Sequence, residues 1–226
     1  MDRNLSLKAF IGYLLSLILF GAPIFLAAWT LNYWEAWLFL FVFSIATTWH
    51  GLFLAKHDPA LLERRMRVGP TAEKRPAQRI IMSLTLVFFI VILVVAGLDH
   101  RFGWSHLPAP IVFTGDLLIV LSYFVFYLVC RENSFASATI EITEGQKVVS
   151  TGLYGFVRHP MYSGALLMCL GIALALRSAW ALLVVLAVLP VLIWRIVDEE
   201  KFLASNLQGY VEYCNKVKSR LIPGVY

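Results

Sequence analysis

The chain has 226 residues, of which 60% are hydrophobic and only 15% charged. That balance excludes a soluble domain with a large water-facing surface and points to an integral membrane protein. The formal net charge of +5 does not mark a nucleic-acid partner, because of how the charges are distributed along the chain.

The N-terminus carries a basic flank, Arg3 and Lys8, followed by residues 9–31, a run of 23 without a charge. The run is longer than a typical signal-peptide core, so it reads as a retained first span, with a cleaved signal as the alternative. A second apolar segment covers about 36–55 and is entered through Trp34 and Trp37. The third, 80–98, has 19 residues and no charge, and the fourth, 111–130, carries one acid, Asp116, near its start. The fifth and sixth, 161–176 and 178–194, are 16 and 17 residues long and are separated by Arg177. A crossing helix needs roughly 20 apolar residues to span about 30 Å of hydrocarbon. The last two segments therefore predict a short, tight helical hairpin packed against the other spans and not fully crossing. Pro23 and Pro190 fall within spans 1 and 6, where kinks are tolerated, and Pro190 is expected to bend the sixth helix before its polar end.

Orientation follows from Lys and Arg. With the N-terminus inside and six crossings, the inside parts are 1–8, 56–79, 131–158 and 195–226. These hold 2, 7, 3 and 5 basic residues, 17 of the 19, and only Arg101 and Arg177 fall outside. The positive-inside rule then makes both termini cytoplasmic. Trp29, Trp34, Trp104 and Trp180 fall near predicted span ends, where interfacial aromatics belong. The most basic stretch, the cytoplasmic loop 56–79 (KHDPALLERRMRVGPTAEKRPAQR), reads as topogenic charge with attraction for anionic lipid, with substrate docking as the alternative.

His50 and His57 are isolated and carry no assigned chemistry. Cys130, Cys169 and Cys214 lie far apart, without a CxxC pair or metal-ligand spacing, and read as small apolar residues. No GxGxxG or phosphate-loop motif follows a predicted strand, which excludes a soluble-type nucleotide domain. After span 4, 131–139 is expected to continue as helix, and the polar, β-branched stretch to Tyr154 as a connector turning at Gly145 and Gly152. From Asp198 to Lys218 the apolar residues Leu203, Leu207, Tyr210, Cys214 and Val217 recur every three or four positions. That spacing predicts an amphipathic helix on the cytoplasmic face, ended by Pro223-Gly224. The expected fold class is all-α, with about six transmembrane helices and this C-terminal amphipathic helix.

Two polar clusters flank the predicted hairpin: GLYGFVRHPMY at 152–162, and Arg195-Ile-Val-Asp-Glu199-Glu200. Each residue taken alone has a structural account. Arg158 suits a snorkelling anchor, and Arg195 with Glu199 suits an ion pair four residues apart on one helical face. Glu199-Glu200 suits a solvated helix edge, His159-Pro160 a helix start, and Tyr154 and Tyr162 interfacial aromatics. The combination is less ordinary, since an arginine at a membrane interface is costly unless paired or working. The two clusters are expected to form one site.

On Gly152-Leu-Tyr154, Arg158-His-Pro-Met-Tyr162-Ser-Gly164, Arg195, Glu199-Glu200, Leu203, Gly209, Tyr213 and Arg220-Leu-Ile-Pro-Gly224, the chain from about 115 to 226 resembles a known family. This is the isoprenylcysteine carboxyl methyltransferase family of membrane enzymes, in its compact bacterial form. The resemblance implies a catalytic core over 111–226 preceded by an N-terminal unit of three spans over 1–110. It implies an S-adenosylmethionine (SAM) site facing the cytoplasm at a bacterial inner membrane. Tyr154, His159, Pro160, Met161 and Tyr162 would line it, and Gln146, Lys147, Val148 and Val149 would contribute largely backbone contacts, with Thr139 beside them. Glu199 and Glu200 would meet the cofactor, Glu199 at its amino-acid end. Arg195 would act with Glu199 in catalysis and bind the carboxylate of a prenylcysteine-like or other lipidic substrate, whose tail enters from the bilayer. The implied partners are the lipid bilayer and that lipophilic substrate, with neither nucleic acid nor metal.

A sulfonium cofactor carries its own leaving group, so methylating a carboxylate calls for positioning, which can supply about 7–11 kcal/mol. Arg195 suits that task because a guanidinium binds a carboxylate bidentately. Three other functions fit the same residues. One is N-methylation of a phospholipid amine. Another is an NADPH-dependent membrane reductase, since sterol reductases share a related C-terminal core, with Lys147 the one basic residue for a 2′-phosphate. The third is a non-enzymatic lipid-binding membrane protein.

Overall fold

The structure is a computed structural model that describes residues 3–226, with side chains described for residue 5 and for 7–226. The basic flank contributed by Arg3 lies outside the described side chains. Eight helices follow in order: α1 Arg3–Ala28, α2 Trp34–His57, α3 Pro59–Met66, α4 Pro76–Phe102, α5 Ile111–Glu132, α6 Pro160–Ala175, α7 Ala179–Asn206 and α8 Tyr210–Lys216. A single 3-10 turn lies at Gly152–Gly155, and no strand occurs among the described residues. Helices α1, α2, α4, α5 and α7 are long and apolar enough to cross a membrane, and α6 is a shorter apolar helix. The chain is an all-α integral membrane protein. Helix is the form these segments take because hydrocarbon offers no partner to a backbone N–H or C=O.

Packing between helices relies on small residues. A Cβ at Gly115 of α5 would lie 2.1 Å from the backbone nitrogen of Ala175, and one at Gly97 of α4 would lie 2.5 Å from the carbonyl oxygen of Ile24. Only glycine allows α5 to approach α6, and α4 to approach α1, this closely. Phe20, Ile24, Phe39, Phe43, Ile92, Leu93, Ile119 and Ile172 form the apolar centre of the bundle. Trp29, Trp34, Trp104 and Trp180 are exposed at helix ends, as an aromatic belt requires.

Four local expectations change. The hairpin forms through Arg177, but only its first arm is short. Helix α6 has 16 residues, whereas α7 has 28, about 42 Å at about 1.5 Å per residue. Helix α7 runs past Trp194 through the whole Arg195–Glu200 cluster, because those polar side chains find partners inside the protein. Pro190 lies within it. The amphipathic helix expected over 198–218 is therefore not one element. Its first part is the end of α7, and Gly209, at φ 83°, starts the seven-residue α8. Its apolar residues still pack together, with Tyr210, Tyr213 and Val217 against Leu203, Leu207 and Cys214.

Helix α5 stops at Glu132, so 134–139 is not helical. Asn133 explains the stop: its Oδ1 accepts from the Phe135 N–H at 2.9 Å, a local turn that competes with the next helical bond. The basic stretch 56–79 contains α3, capped by Asp58, whose side chain accepts from the Leu61 N–H at 2.8 Å, with Pro59 in the first turn.

The connecting segments sort into two ends. The α3–α4 linker, the 133–160 connector and the C-terminal stretch from Arg195 meet at one end of the bundle. At the other, Arg177 reaches Glu35 at 3.5 Å and the Leu107 carbonyl at 2.5 Å, and Tyr33 donates to the Leu176 carbonyl at 2.6 Å. This sorting is that of six passes between the ends, the short α6 included.

Candidate functional site

At the first of these ends, α4, α5, α6 and α7 enclose a cavity of about 360 Å³, a volume typical of a small-ligand site. Its apolar part is walled by Met82, Phe126, Leu166, Cys169, Val188 and Leu192, side chains from the apolar helices α4, α5, α6 and α7. Its polar part carries Thr139, Gln146, Lys147, Val148, Val149, Tyr154, Arg158, His159, Pro160, Met161, Tyr162, Arg195 and Glu199. The two sequence clusters thus share one cavity.

His159 precedes α6 and Pro160 opens it; the His159 carbonyl accepts from the N–H groups of Tyr162 and Ser163 at 3.0 and 3.2 Å. The preset φ of proline suits that first turn. The C-terminal stretch runs alongside. The Arg158 and His159 N–H groups donate to the carbonyls of Ser219 and Arg220 at 3.0 and 2.9 Å, and the Ser163 hydroxyl donates to that of Leu221 at 2.6 Å.

Glu200 gathers three donors: Arg158 Nε at 2.7 Å, His159 Nε2 at 3.1 Å and Arg220 Nε at 2.9 Å. Arg158 also donates to the Val217 carbonyl at 2.9 Å. Glu200 does not line the cavity. Together Arg158 and Glu200 tie α6, α7 and the C-terminal stretch into one body.

The ion pair between Arg195 and Glu199 does not form. Tyr162 stands between them, its hydroxyl donating to Glu199 Oε2 at 2.5 Å and accepting from Arg195 Nε at 2.8 Å. The guanidinium instead meets the α3–α4 linker and the start of α4: Nη2 lies 3.2 Å from Glu73 Oε1 and Nη1 lies 3.1 Å from Gln78 Oε1. Nη2 also reaches the Ala138 carbonyl at 3.1 Å. Gln78 in turn donates to Asp198, which Arg75 also contacts at 2.9 Å. Glu199 Oε1, unlike Oε2, has no partner within the chain among the described residues, and its carboxylate borders the cavity.

Two further features face the ligand space. None of the backbone N–H or C=O groups of 147–150 is hydrogen-bonded within the chain among the described residues, so the wall presents an unpaired peptide edge at 147–149. Tyr154 is half-buried, its hydroxyl accepting from Asn133 Nδ2 at 3.0 Å. Burial pushes that hydroxyl up to about 12, so it stays protonated at neutral pH. The turn leading to Tyr154 starts at Gly152, in the left-handed region at φ 56°, where a Cβ would meet the Glu132 side chain at 2.9 Å.

Glu73 and Gln78 are the residues that sequence reasoning missed. Glu73 is 122 positions from Arg195 and stands as an acid in a strongly basic stretch, with no spacing that ties it to the cluster. His50 and His57 lie away from the cavity, and Cys130, Cys169 and Cys214 are free. Among the described residues, no group of three or more His, Cys, Asp or Glu side chains is placed to hold a metal ion.

Residues 110–208 match a family model described as phospholipid methyltransferase. The matched region runs from the start of α5 to just past α7 and includes both polar clusters. That family lies in the same superfamily of membrane methyltransferases as the one the C-terminal half resembles. The chain is also 31% identical over 148 residues to Delta(14)-sterol reductase TM7SF2 of Mus musculus, a match covering 58% of this chain and 35% of that protein. The chain thus spans about a third of that relative's length.

Proposed function

We propose that this protein transfers the methyl group of SAM to a lipid-like acceptor dissolved in the membrane. The observation that carries the reading is the single cavity that joins a polar wall to an apolar chamber between membrane helices, lined mostly by the region matching the phospholipid methyltransferase model. The residues present fit the cofactor. The free oxygen of Glu199 suits the ammonium of its amino-acid end, and the unpaired peptide edge of 147–149 and the Tyr154 hydroxyl suit its polar ring and sugar groups. Bound there, SAM supplies an electrophilic methyl carbon with its own leaving group.

The chain supplies position and a dry environment. Tyr162 couples Arg195 to Glu199, so the groups facing acceptor and cofactor are oriented as a unit. The apolar chamber receives the acceptor's tail and keeps water from the reacting atoms, where alignment can lower the barrier by about 7–11 kcal/mol. His159 and Pro160 shape the wall, and Arg158 and Glu200 hold that wall in place. The basic segments gathered at this end argue for a cytoplasmic site. A prenylcysteine-like carboxylate and a phospholipid amine are the two acceptor classes this reading spans.

Purified protein in detergent is expected to bind labelled SAM saturably and to pass the label to a lipid in a total membrane extract, identified by mass spectrometry. A second reading, NADPH-dependent reduction, draws on the likeness to the sterol reductase and on Lys147 and Arg65 in the cavity wall. The same experiment decides between them: NADPH binding without SAM binding would sink the methyltransferase reading.

A further inference from the structure

Arg195 is a buried cation of the cavity's polar part, and its guanidinium is almost fully engaged. Of its five N–H donors, one is taken by Tyr162, one by Gln78 and two by Glu73 and the Ala138 carbonyl. Arg195 is 7% exposed and Glu73 only 1%. Glu73 is itself held on both sides. Its Oε2 accepts from the Ile140 N–H at 3.4 Å, and its backbone carbonyl accepts from Arg79 Nε at 2.8 Å. It belongs to the linker before α4, outside the 110–208 region that matches the methyltransferase family model.

A bidentate grip on a carboxylate needs two parallel N–H groups. Arg195 has one left, on Nη1, so an incoming carboxylate must displace one of the present partners: Glu73, Gln78, Tyr162 or the Ala138 carbonyl. Displacing Glu73 strands a buried charge. Keeping it crowds two anions onto one guanidinium.

We infer that Glu73 is a specificity-determining residue: as the resident counter-ion of Arg195 it turns carboxylate head groups away from the acceptor end of the cavity. This rests on the cavity being the acceptor site proposed above, and it favours acceptors whose reacting group is not a carboxylate. Gln78 supports the arrangement by filling the guanidinium's other edge without adding charge.

The test takes the full-length protein in detergent and titrates it by calorimetry with a matched pair of probes, a long-chain thioether carboxylic acid and its carboxamide. Wild type binds the carboxamide at least as tightly as the acid. Glu73→Gln keeps the shape and one acceptor oxygen but removes the charge, and shifts the acid-to-amide preference toward the acid by about tenfold. Glu73→Asp, which retains the charge, keeps the wild-type preference. An unchanged preference in Glu73→Gln, including failure of that variant to bind the acid, overturns the assignment. So does a wild-type protein that already prefers the acid, a check that needs no variant. SAM binding is measured separately on the same samples, so loss of the methyltransferase reading shows there and not in the probe ratio.

Discussion

At the end of the bundle away from the cavity, Asp99 accepts from the Ser105 N–H at 2.7 Å, the Ser105 hydroxyl at 2.5 Å and the Ser178 hydroxyl at 2.5 Å. Ser178 meanwhile caps α7 by accepting from the Ala181 N–H, and Ser105 accepts from the Ala179 N–H. That network is closed. Its carboxylate is surrounded by neutral donors that also terminate helices, and the ligand cavity at the opposite end takes nothing from it. At the cavity end a network of similar size stays open. Glu199 keeps a free oxygen, Arg195 keeps one N–H, and the peptide edge of 147–149 is unpaired, all beside a space of about 360 Å³. Buried polar groups at both ends hold helices together. Only unspent hydrogen-bonding capacity next to a cavity distinguishes a candidate site from a structural clasp.

The contrast breaks most visibly at Arg195. Arg195→Met leaves Glu73 buried without its counter-ion, and unfolding in detergent micelles should report a loss of about 3–5 kcal/mol. Methyl transfer from labelled SAM should disappear with it. Adding Glu73→Gln should restore most of the stability but not the activity. Normal turnover in Arg195→Met would remove that residue from the mechanism.

Asp99→Ala strips the closed network and should cost about 1–3 kcal/mol by the same unfolding measurement. SAM affinity and turnover per folded molecule should stay at wild-type values; a matching fall in turnover would mean that the two ends are coupled. Glu199→Gln reverses the pattern. Calorimetry should show SAM binding weakened by about tenfold, or about 1.4 kcal/mol, with little change in unfolding. Unaltered affinity there would withdraw Glu199 from the cofactor site.

The smallest effect is expected at Tyr154, a hydroxyl raised from 10.0 to about 12 chiefly by burial. The neutral form is favoured on folding, so its contribution is intact below pH 10 and is lost as pH rises from there toward 12. Tyr154→Phe should flatten that alkaline decline, and in neutral buffer it should cost only about 0.5–1.5 kcal/mol for the lost Asn133 bond. A steeper alkaline decline in the variant would contradict the assigned direction.

Much of the framework was legible because hydrocarbon is a simple solvent. The apolar runs became α1, α2, α4, α5, α6 and α7, the four tryptophans at predicted span ends are exposed there, and Pro160 opens α6 as the His-Pro step implied. The meeting of the two clusters was legible too, and it is made through Tyr162 with Glu199 and Arg195 and through Arg158 and His159 with Glu200. Helix ends read less well. Hydropathy ended the sixth segment near Trp194, yet α7 continues to Asn206 because its polar residues are paired within the protein. Periodicity joined 198–218 into one helix, but a left-handed Gly209 separates its halves while its apolar faces still pack together.

The sequence by itself determined the solvent of each segment and the residue types available at one end of the bundle. Those follow from composition and local periodicity, which need no knowledge of distant neighbours. Tertiary structure alone decided how the charges at that end pair. It set Tyr162 between Arg195 and Glu199, drew Glu200 away to Arg158, His159 and Arg220, and brought Glu73 across 122 positions to Arg195. A buried charge takes whichever partner the packing of other helices delivers, and a four-residue spacing on one helix cannot compete with that.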